Sequence, residues 1–453
     1  MSLFNWATGK KHESPGLRNI LLAEIGLLIV IAFLCSPSAR AEVLFQDDFN
    51  TWTDFTIPQN VSESGSCYTN CSMAGNWTAY NTYRTHCGTG ITGRPGNNSI
   101  YVNSIPGYPF GSGVCRGGSG KCFTKWQEAC LAPNTNFDDA DANFGVDLGS
   151  EHNELYLRFF IKFPSSFVLN DGQAFKLFHL QHYNGGGATP WNYFGRDTNN
   201  QPVTAGGIRR ADGNYVDIYA EARGYPKYYT HNPMFWRIST YAAATASGGI
   251  LDGNWHSIEL RQRMNSTVGT ADGIMEAWVD GNKLGNWADY PANTINWNNI
   301  STITRADISF NAQTKTISSI SGDLSNQIFV TELPIVVSGS TRNNGTYTIV
   351  SRADTHQVTV AENLLDESAG ASVTITQTPP EVRGFRFVSI SGNNMSWTTA
   401  CSDGSGAMSE CEQWYSIDDP VVSTTYIGPD YVIGNGPPHD TNPPASPTNL
   451  AVR

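Results

Sequence analysis

The chain has 453 residues, of which 15% are charged and 11% aromatic, and its 40 acidic residues outnumber 28 Lys and Arg to give a net charge of −12. This acidic balance argues against a nucleic-acid-binding protein, for which a basic face would be expected. The 44 glycines and 12 tryptophans suit a twisted β-sandwich with long loops, so the composition favours an all-β protein.

The first 41 residues are predicted to be an export signal. Lys10, Lys11 and Arg18 precede an apolar run over 25–35, and Ala39-Arg40-Ala41 provides a cleavage site. The run is shorter than the roughly 20 residues that a membrane-spanning helix needs. We therefore expect a secreted, extracellular protein, or one of the periplasm or cell surface, with no membrane association after cleavage.

Eight cysteines remain beyond the predicted signal, and an even number in an exported chain predicts disulfides. Cys401 and Cys411 are expected to close a small loop. The other six lie before residue 131: Cys67, Cys71, Cys87, Cys115, Cys122 and Cys130.

Three segments after an opening strand at 42–49 read as further strands of a main sandwich. Over 154–163 apolar residues alternate with aromatic and basic ones. In the strand at 174–187, His179 and Gln181 share one side, and the alternation puts Lys176 and His182 on the other. In the strand at 214–223 one side carries Asp217, Tyr219, Glu221 and Arg223.

A β-hairpin is predicted at 252–284, where two alternating segments flank a polar connection rich in Asn, Ser and Gly. One face, with Ile258 and Leu260, is apolar. The other carries charge and a tryptophan, including Arg261 and Trp278. An apolar inner face and an outer face open to a polar ligand would suit an antiparallel sheet.

The segment 301–378 differs from the rest, because it has neither Trp nor Cys and is rich in Thr, Ser, Ile and Val. It predicts a small β-domain inserted at a loop tip, where insertions are best tolerated. Two extra hairpins of the main sandwich are the alternative. The sandwich would then comprise 42–300 and closing strands in 379–432, followed by a Pro-rich linker at 433–453 that ends like the opening of a fibronectin type III domain.

The hairpin motifs W-H-x-I-E-L and D-G-x-x-E-x-W-V-D-G resemble the concanavalin A-like lectin/glucanase superfamily, and within it the alginate, glucuronan and heparin lyase I type of polysaccharide lyase. The resemblance covers about 43–300 and 380–430. It implies a jelly-roll β-sandwich that acts on polysaccharide. Glucanases of the superfamily carry E-x-D-x-E, which is missing here and weakens a hydrolase interpretation.

The resemblance implies β-elimination. A base removes the proton α to a uronate carboxylate, a donor protonates the leaving oxygen, and further groups bind the carboxylate. His179 and Gln181 are the main candidates, although similar lyases carry Q-x-H where this chain has H-L-Q. Tyr219 and Arg223 would supply a phenol and a carboxylate clamp. Three other tyrosines are alternatives to Tyr219: Tyr215, Tyr228 and Tyr229.

Seven residues are predicted to bind the substrate: Arg158, Lys176, His182, Trp191, Glu221, Arg261 and Trp278. If the strand has the opposite phase, Lys176 and His182 would replace His179 and Gln181. A buried core position for His179 and a solvated face for the arginines are the alternatives.

A structural Ca²⁺ is a further expectation, since several similar jelly-roll proteins bind one between their first and last strands. Asp48 and Asp418, or their neighbours Asp47 and Asp419, would hold it, and ordinary strand-edge charge is the alternative.

The leading prediction is a secreted lyase of an acidic, uronate-containing polysaccharide. A non-catalytic lectin-like adhesion protein is the first alternative. A glycoside hydrolase that uses Glu221 and Glu276 is the second.

Overall fold

The computed structural model describes residues 42–56, 65–67, 74–83, 100–108, 111–127, 141–169, 172, 174–181, 203–211, 214–223, 234–285, 295–297, 300–322, 324, 329, 333–378, 384–390 and 413–434. The predicted signal, the Pro-rich tail and the Cys401–Cys411 loop lie outside these ranges. Within them no helix is long and apolar enough to span a membrane.

One sheet has nine strands, numbered in chain order through the whole molecule: β1 (Val43–Gln46), β2 (Phe55–Thr56), β5 (Ile100–Asn103), β6 (Cys122–Gln127), β8 (Glu154–Lys162), β13 (Trp255–Arg263), β14 (Ile274–Val279), β15 (Asn282–Lys283) and β24 (Gln413–Ser423). The order is β15-β14-β13-β8-β24-β6-β5-β2, and β1 also pairs with β24. The predicted hairpin is confirmed as β13 and β14.

A second sheet has eight strands: β3 (Gly65–Cys67), β4 (Ala79–Tyr83), β7 (Asp141–His152), β9 (Ala174–Gln181), β10 (Val203–Ala211), β11 (Tyr215–Arg223), β12 (Met234–Thr240) and β23 (Phe385–Ile390). The order is β12-β11-β10-β9-β23-β7-β4-β3. A single turn of helix, α1 (Tyr241–Thr245), follows β12, and the side chain of Thr240 caps it by accepting the N–H of Ala243.

The two sheets pack face to face around one buried cluster of side chains. Leu157 and Phe159 of β8 belong to it together with Phe178 and Leu180 of β9. Tyr415 of β24 stacks on Phe175 of β9, with ring centroids 5.8 Å apart. The chain is therefore an all-β sandwich, as the composition and alternation predicted.

The part of the outer face of the nine-stranded sheet around Arg158, Glu259 and Trp278 is covered by residues 424–434, which we call the covering segment. The guanidinium of Arg158 donates to the carbonyl oxygens of Gly428 and Tyr431 at 3.3 and 3.0 Å. The carboxylate of Glu259 accepts the backbone N–H groups of Ile427 and Gly428 at 2.7 and 2.9 Å. The face is thus closed around Arg158 and Glu259, where the sequence predicted it to be open.

A seven-stranded sheet lies within the segment predicted as an insert: β16 (Ser301–Arg305), β17 (Ile308–Asn311), β18 (Thr316–Ser319), β19 (Pro334–Ser338), β20 (Gly345–Arg352), β21 (Gln357–Val360) and β22 (Val373–Gln377). Its order is β16-β22-β19-β20-β21-β18-β17. It has its own buried cluster, which includes Ile317, Ile335 and Ile375. Residues 301–378 thus contain a separate sheet with its own core, and their assignment as an inserted domain stays a prediction.

Among the residues that the structure describes, a disulfide between Cys115 and Cys122 joins positions seven apart in the chain. Cys67 lies in β3, whereas Cys71, Cys87 and Cys130 lie outside the described ranges. The wider set of disulfides stays a prediction.

Candidate functional site

The outer face of the eight-stranded sheet brings together most of the predicted catalytic residues. Ala205 of β10 is paired with His179 of β9 on one side and with Glu221 of β11 on the other. Directly opposed residues of an antiparallel sheet project to the same face. His179 and Glu221 therefore flank β10 on one face, which is the outer one because Leu180 and Ala220 belong to the core.

The same face continues along β10 in both directions, since every second residue of a strand shares a face. Gly207, two residues further along, is paired with Lys176 and with Tyr219. Val203, two residues before Ala205, is opposite Gln181 and Arg223. We call this surface, from the Val203 row to the Gly207 row, the β10 trough.

Lys176 joins this face because β9 contains a β-bulge. Gly206 is opposite Phe178 but Gly207 is opposite Lys176, so Leu177 is an extra residue. An extra residue reverses the alternation on one side of it. The prediction that Lys176 and His179 lie on opposite sides is therefore wrong.

Gly207 is required at this bulge. An ideal Cβ on Gly207 would lie 1.8 Å from the carbonyl oxygen of Phe175. Gly207 thus separates Lys176 of β9 from Tyr219 of β11 on this face.

His179 and Gln181 are buried, each with 2% of its surface exposed. Nδ1 of His179 lies 3.3 Å from the hydroxyl of Ser389, which is opposite it on β23. The amide nitrogen of Gln181 has no hydrogen-bond partner in the described part of the chain. Leaving a buried donor unpaired costs on the order of 1–3 kcal/mol, so this amide calls for a ligand or another functional explanation.

Tyr219 is buried in the same face, and its environment favours the neutral phenol. Burial raises the pKa of Tyr219, the charge of nearby Glu221 raises it further, and Arg209 opposes both effects. The phenol, which is protonated at neutral pH in any tyrosine, can donate a proton or a hydrogen bond, and burial makes its ionised form still less favourable.

Two arginines next to the β10 trough, Arg209 and Arg237, were not predicted from the sequence. Asp217 is fully buried and accepts from Arg209 at 3.3 Å and from Arg237 at 3.5 Å. Asp217 is paired with both residues across β10 and β12, so all three share the outer face. The alternation of residues in β10 could have identified Arg209 as an outer-face residue. Its proximity to Arg237 depends on the register of β10, β11 and β12, which the sequence does not show.

The predicted ligands on the nine-stranded sheet lie on the other outer face of the sandwich. Arg158 and Trp278 are fully buried. Arg261 is paired with Glu154 at 2.7 Å and with Glu276 at 2.8 Å. The prediction that Arg158 and Trp278 line an open sugar-binding face is wrong, because alternation shows which residues share a face and not what covers it.

The prediction that Glu221 and Glu276 form the carboxylate pair of a glycoside hydrolase is also wrong. Glu276 is paired with Arg261 on the outer face of the nine-stranded sheet, whereas Glu221 is on the outer face of the eight-stranded sheet. The hydrophobic core separates them, and a glycosidase needs its two carboxyl groups within about 10 Å on either side of one bond.

Four predicted residues lie outside the described ranges: His182, Trp191, Tyr228 and Tyr229. Tyr215 is at the start of β11, where the guanidinium of Arg237 stacks on its ring.

The carboxylates proposed for calcium are occupied by N–H donors. Asp47 accepts the indole N–H groups of Trp52 and Trp77 at 2.9 and 2.6 Å. Asp48 accepts from the backbone and side chain of Asn50, and Asp418 accepts from the backbone of Arg116 at 3.0 Å. These contacts fit Ca²⁺ poorly, because the ion requires oxygen ligands that converge. The calcium site stays a prediction.

No protein-family model and no curated protein matches the chain. Among solved structures it is similar to the alginate lyase Aly36B, in a mutant form in complex with alginate trisaccharide. The identity is 9%, over 83% of this chain and 96% of that one, with a TM-score of 0.26. It is also similar to the alginate lyase vAL-1 from Chlorella virus, with 12% identity, coverage of 78% and 98%, and a TM-score of 0.23.

Proposed function

We propose that this protein is a polysaccharide lyase that cleaves a uronate-containing polysaccharide by β-elimination in the β10 trough. The observation that supports it most is the register of β9, β10 and β11. It brings an imidazole, a primary amide, an ammonium group and a protonated phenol to one face: His179, Gln181, Lys176 and Tyr219. The nitrogen of that amide has no hydrogen-bond partner in the described part of the chain.

These four groups match the needs of the reaction. The amide of Gln181 and the ammonium of Lys176 would bind the uronate carboxylate, which makes the α-proton more acidic. His179 would take that proton as the electron pair forms a carbon–carbon double bond and the glycosidic carbon–oxygen bond breaks. The neutral phenol of Tyr219 would give its proton to the departing oxygen.

The charge of the face supports an acidic substrate. Its described side chains include three cationic residues, Lys176, Arg209 and Arg237, against the carboxylates of Asp217 and Glu221. A locally positive surface on a protein of net charge −12 would attract a polyanion despite the repulsion of the whole molecule.

We also propose that the protein is exported and that it belongs to the concanavalin A-like superfamily. The apolar run and cleavage site within 1–41 support secretion, where an extracellular polysaccharide is accessible. The hairpin of β13 and β14 carries the motifs that resemble the concanavalin A-like superfamily, and supports a jelly-roll arrangement of the sandwich.

The first prediction separates a lyase from a lectin. Purified protein incubated with a panel of uronate polysaccharides should produce ultraviolet absorbance from an unsaturated product. Tyr219→Phe should lower kcat about 100-fold with substrate affinity nearly kept, because the ring remains and only the proton donor is lost. His179→Ala should lower kcat by a similar factor.

Tyr156→Phe is the matched control, since Tyr156 is also buried but on the other outer face. It should retain full turnover. Polysaccharide binding by the wild type with no product on any substrate would support the lectin instead. Full elimination by both Tyr219→Phe and His179→Ala would show that the catalytic residues lie elsewhere.

A further inference from the structure

The covering segment lies on the nine-stranded sheet without being one of its strands. β24 ends at Ser423, and no helix or strand includes residues 424–434. Side chains of the sheet supply the hydrogen bonds that hold residues 427–431: Glu259, Arg158 and Gln46. A segment without a ladder of strand hydrogen bonds opens at a lower free-energy cost than the strands of the core.

Two of these three side chains are ionisable and buried. The carboxylate of Glu259 accepts two successive backbone N–H groups, those of Ile427 and Gly428, at 2.7 and 2.9 Å. The guanidinium of Arg158 donates to the carbonyl oxygens of Gly428 and Tyr431. Glu259 is 3% exposed and Arg158 is 0% exposed. The segment therefore shields two charged groups from water, and its removal would return both to solvent.

The apolar attachment of the segment is concentrated near its start. Tyr426 and Ile427 are buried in one small cluster with Trp278, Tyr156 and Val421. The ring centroid of Tyr426 lies 5.5 Å from that of Trp278 and 6.4 Å from that of Tyr156. Opening of the segment would thus expose two aromatic side chains of the sheet, Trp278 and Tyr156.

The surroundings of Glu259 disfavour its charged form. Its directly opposed neighbours are Trp278 on β14, which carries no charge, and Arg158 on β8. Burial raises the pKa of Glu259, and the charge of Arg158 only partly opposes this effect. Burial also raises the pKa of Tyr431, so the segment brings a neutral phenol to the pair. Two further charges act on Arg158 from β24 and from the loop before β6: Asp419 and Arg116.

We propose that the covering segment is a pH-sensitive strap, which detaches from the nine-stranded sheet when Glu259 loses its proton. A carboxylate buried beneath the segment costs free energy that solvation in the open state removes. Above neutral pH the open state would expose Trp278, Tyr156 and Arg158 on the outer face opposite to the β10 trough. This inference is independent of the proposed lyase function.

The two pKa values of Glu259 fix the sign and the size of the effect. The closed state holds the proton with a pKa of about 7, whereas the solvated carboxyl group of the open state has its ordinary value of 4.5. The closed state binds the proton more tightly, so low pH keeps the strap closed. Between these values the equilibrium constant for opening should rise about tenfold per pH unit, by about 300-fold in total, and level off above about pH 8.

Hydrogen exchange of the Ile427 and Gly428 amides tests the proposal, because both amides donate to Glu259 in the closed state. Rates measured from pH 5 to pH 8, corrected for the intrinsic pH dependence of exchange, should rise about tenfold per pH unit in the wild type. They should not depend on pH in Glu259→Gln, because glutamine does not titrate. At every pH both amides should exchange faster than the amides of β8, which open only with the sheet.

Glu276→Gln is the matched control. Glu276 lies on the same outer face, but its carboxylate contacts Arg261 and Lys283 instead of the covering segment. This variant should keep the wild-type rise. Tyr426→Ala removes packing and no titrating group, so it should speed exchange of the segment at least tenfold at every pH and leave the pH dependence unchanged.

Three outcomes would each overturn the strap. The first is a corrected exchange rate that does not depend on pH in the wild type. The second is a rise with pH that persists in Glu259→Gln. The third is equal exchange of the segment and of β8, which would show that the segment opens only when the whole sheet unfolds.

Discussion

Glu259 and Arg158 place opposite charges in a dry environment beneath the covering segment. They are directly opposed on β13 and β8. Burial raises the pKa of Glu259 to about 7, against the effect of the N–H groups of Ile427 and Gly428 and of the charge of Arg158. Burial likewise lowers the pKa of Arg158 to about 10. Glu259 therefore titrates near neutral pH.

This pKa predicts a pH-dependent stability. Between its ordinary value of 4.5 and about 7, the folded state holds a proton on Glu259 that the unfolded state has released. The free energy of unfolding should then fall as pH rises through this window, by up to about 3 kcal/mol, and stay level above it. Glu259→Gln should remove this part of the slope and be more stable than the wild type near pH 8.

Urea unfolding of both proteins from about pH 5 to pH 8 measures the difference. Some slope should remain in the variant because of His256. Burial alone would lower the pKa of His256, but its contacts with Asp280 and Asp252 outweigh burial and raise it. Stability from His256 is thus also lost as pH rises through its folded pKa. Parallel pH profiles of wild type and Glu259→Gln would contradict the assignment.

At the scale of elements, the bulge in β9 decides which side chains meet in the β10 trough. The prediction is that Gly207→Ala destabilises the protein by about 1–3 kcal/mol, since its methyl group would collide with the carbonyl of Phe175. Polyuronate turnover should also fall, because relief of the collision displaces Lys176 relative to His179.

Gly285→Ala is the control for this substitution, because a Cβ at Gly285 meets no atom within 4 Å. Thermal unfolding and the elimination assay on both variants provide the measurement. Wild-type stability in Gly207→Ala would mean that the bulge tolerates a side chain and does not fix the register.

At the scale of the whole molecule, the predicted insert has adjacent ends. Ser301 of β16 is directly opposite Gln377 of β22, and opposed residues in antiparallel strands lie about 5 Å apart. Replacement of 301–378 by a short Gly/Ser linker should therefore leave the sandwich folded and able to bind polysaccharide, because the insert has its own core.

Cooperative thermal unfolding and polyuronate affinity of the shortened protein, beside the full chain, check this expectation. The excised 301–378 segment, expressed alone, should also unfold cooperatively. Loss of a cooperative transition in the shortened protein would show that the insert and the sandwich share stabilising contacts.

Local alternation in the sequence determined the strands and their inner faces. Leu155, Leu157, Phe159 and Ile161 alternate in β8, and all four are in the core as predicted. The hairpin of β13 and β14 and the distinct composition of 301–378 were also recognised from the sequence alone. Each depends on neighbouring residues in the chain, which is why no tertiary information was needed.

Only the tertiary structure decided how these strands become a site. The bulge opposite Gly206 and Gly207 placed Lys176 beside His179, and the covering segment removed Arg158 from solvent. Register and coverage arise from contacts between distant parts of the chain, and a period of two residues contains no information about either. The sequence alone therefore determined which residues face inward together, and long-range pairing decided which outer face could bind a substrate.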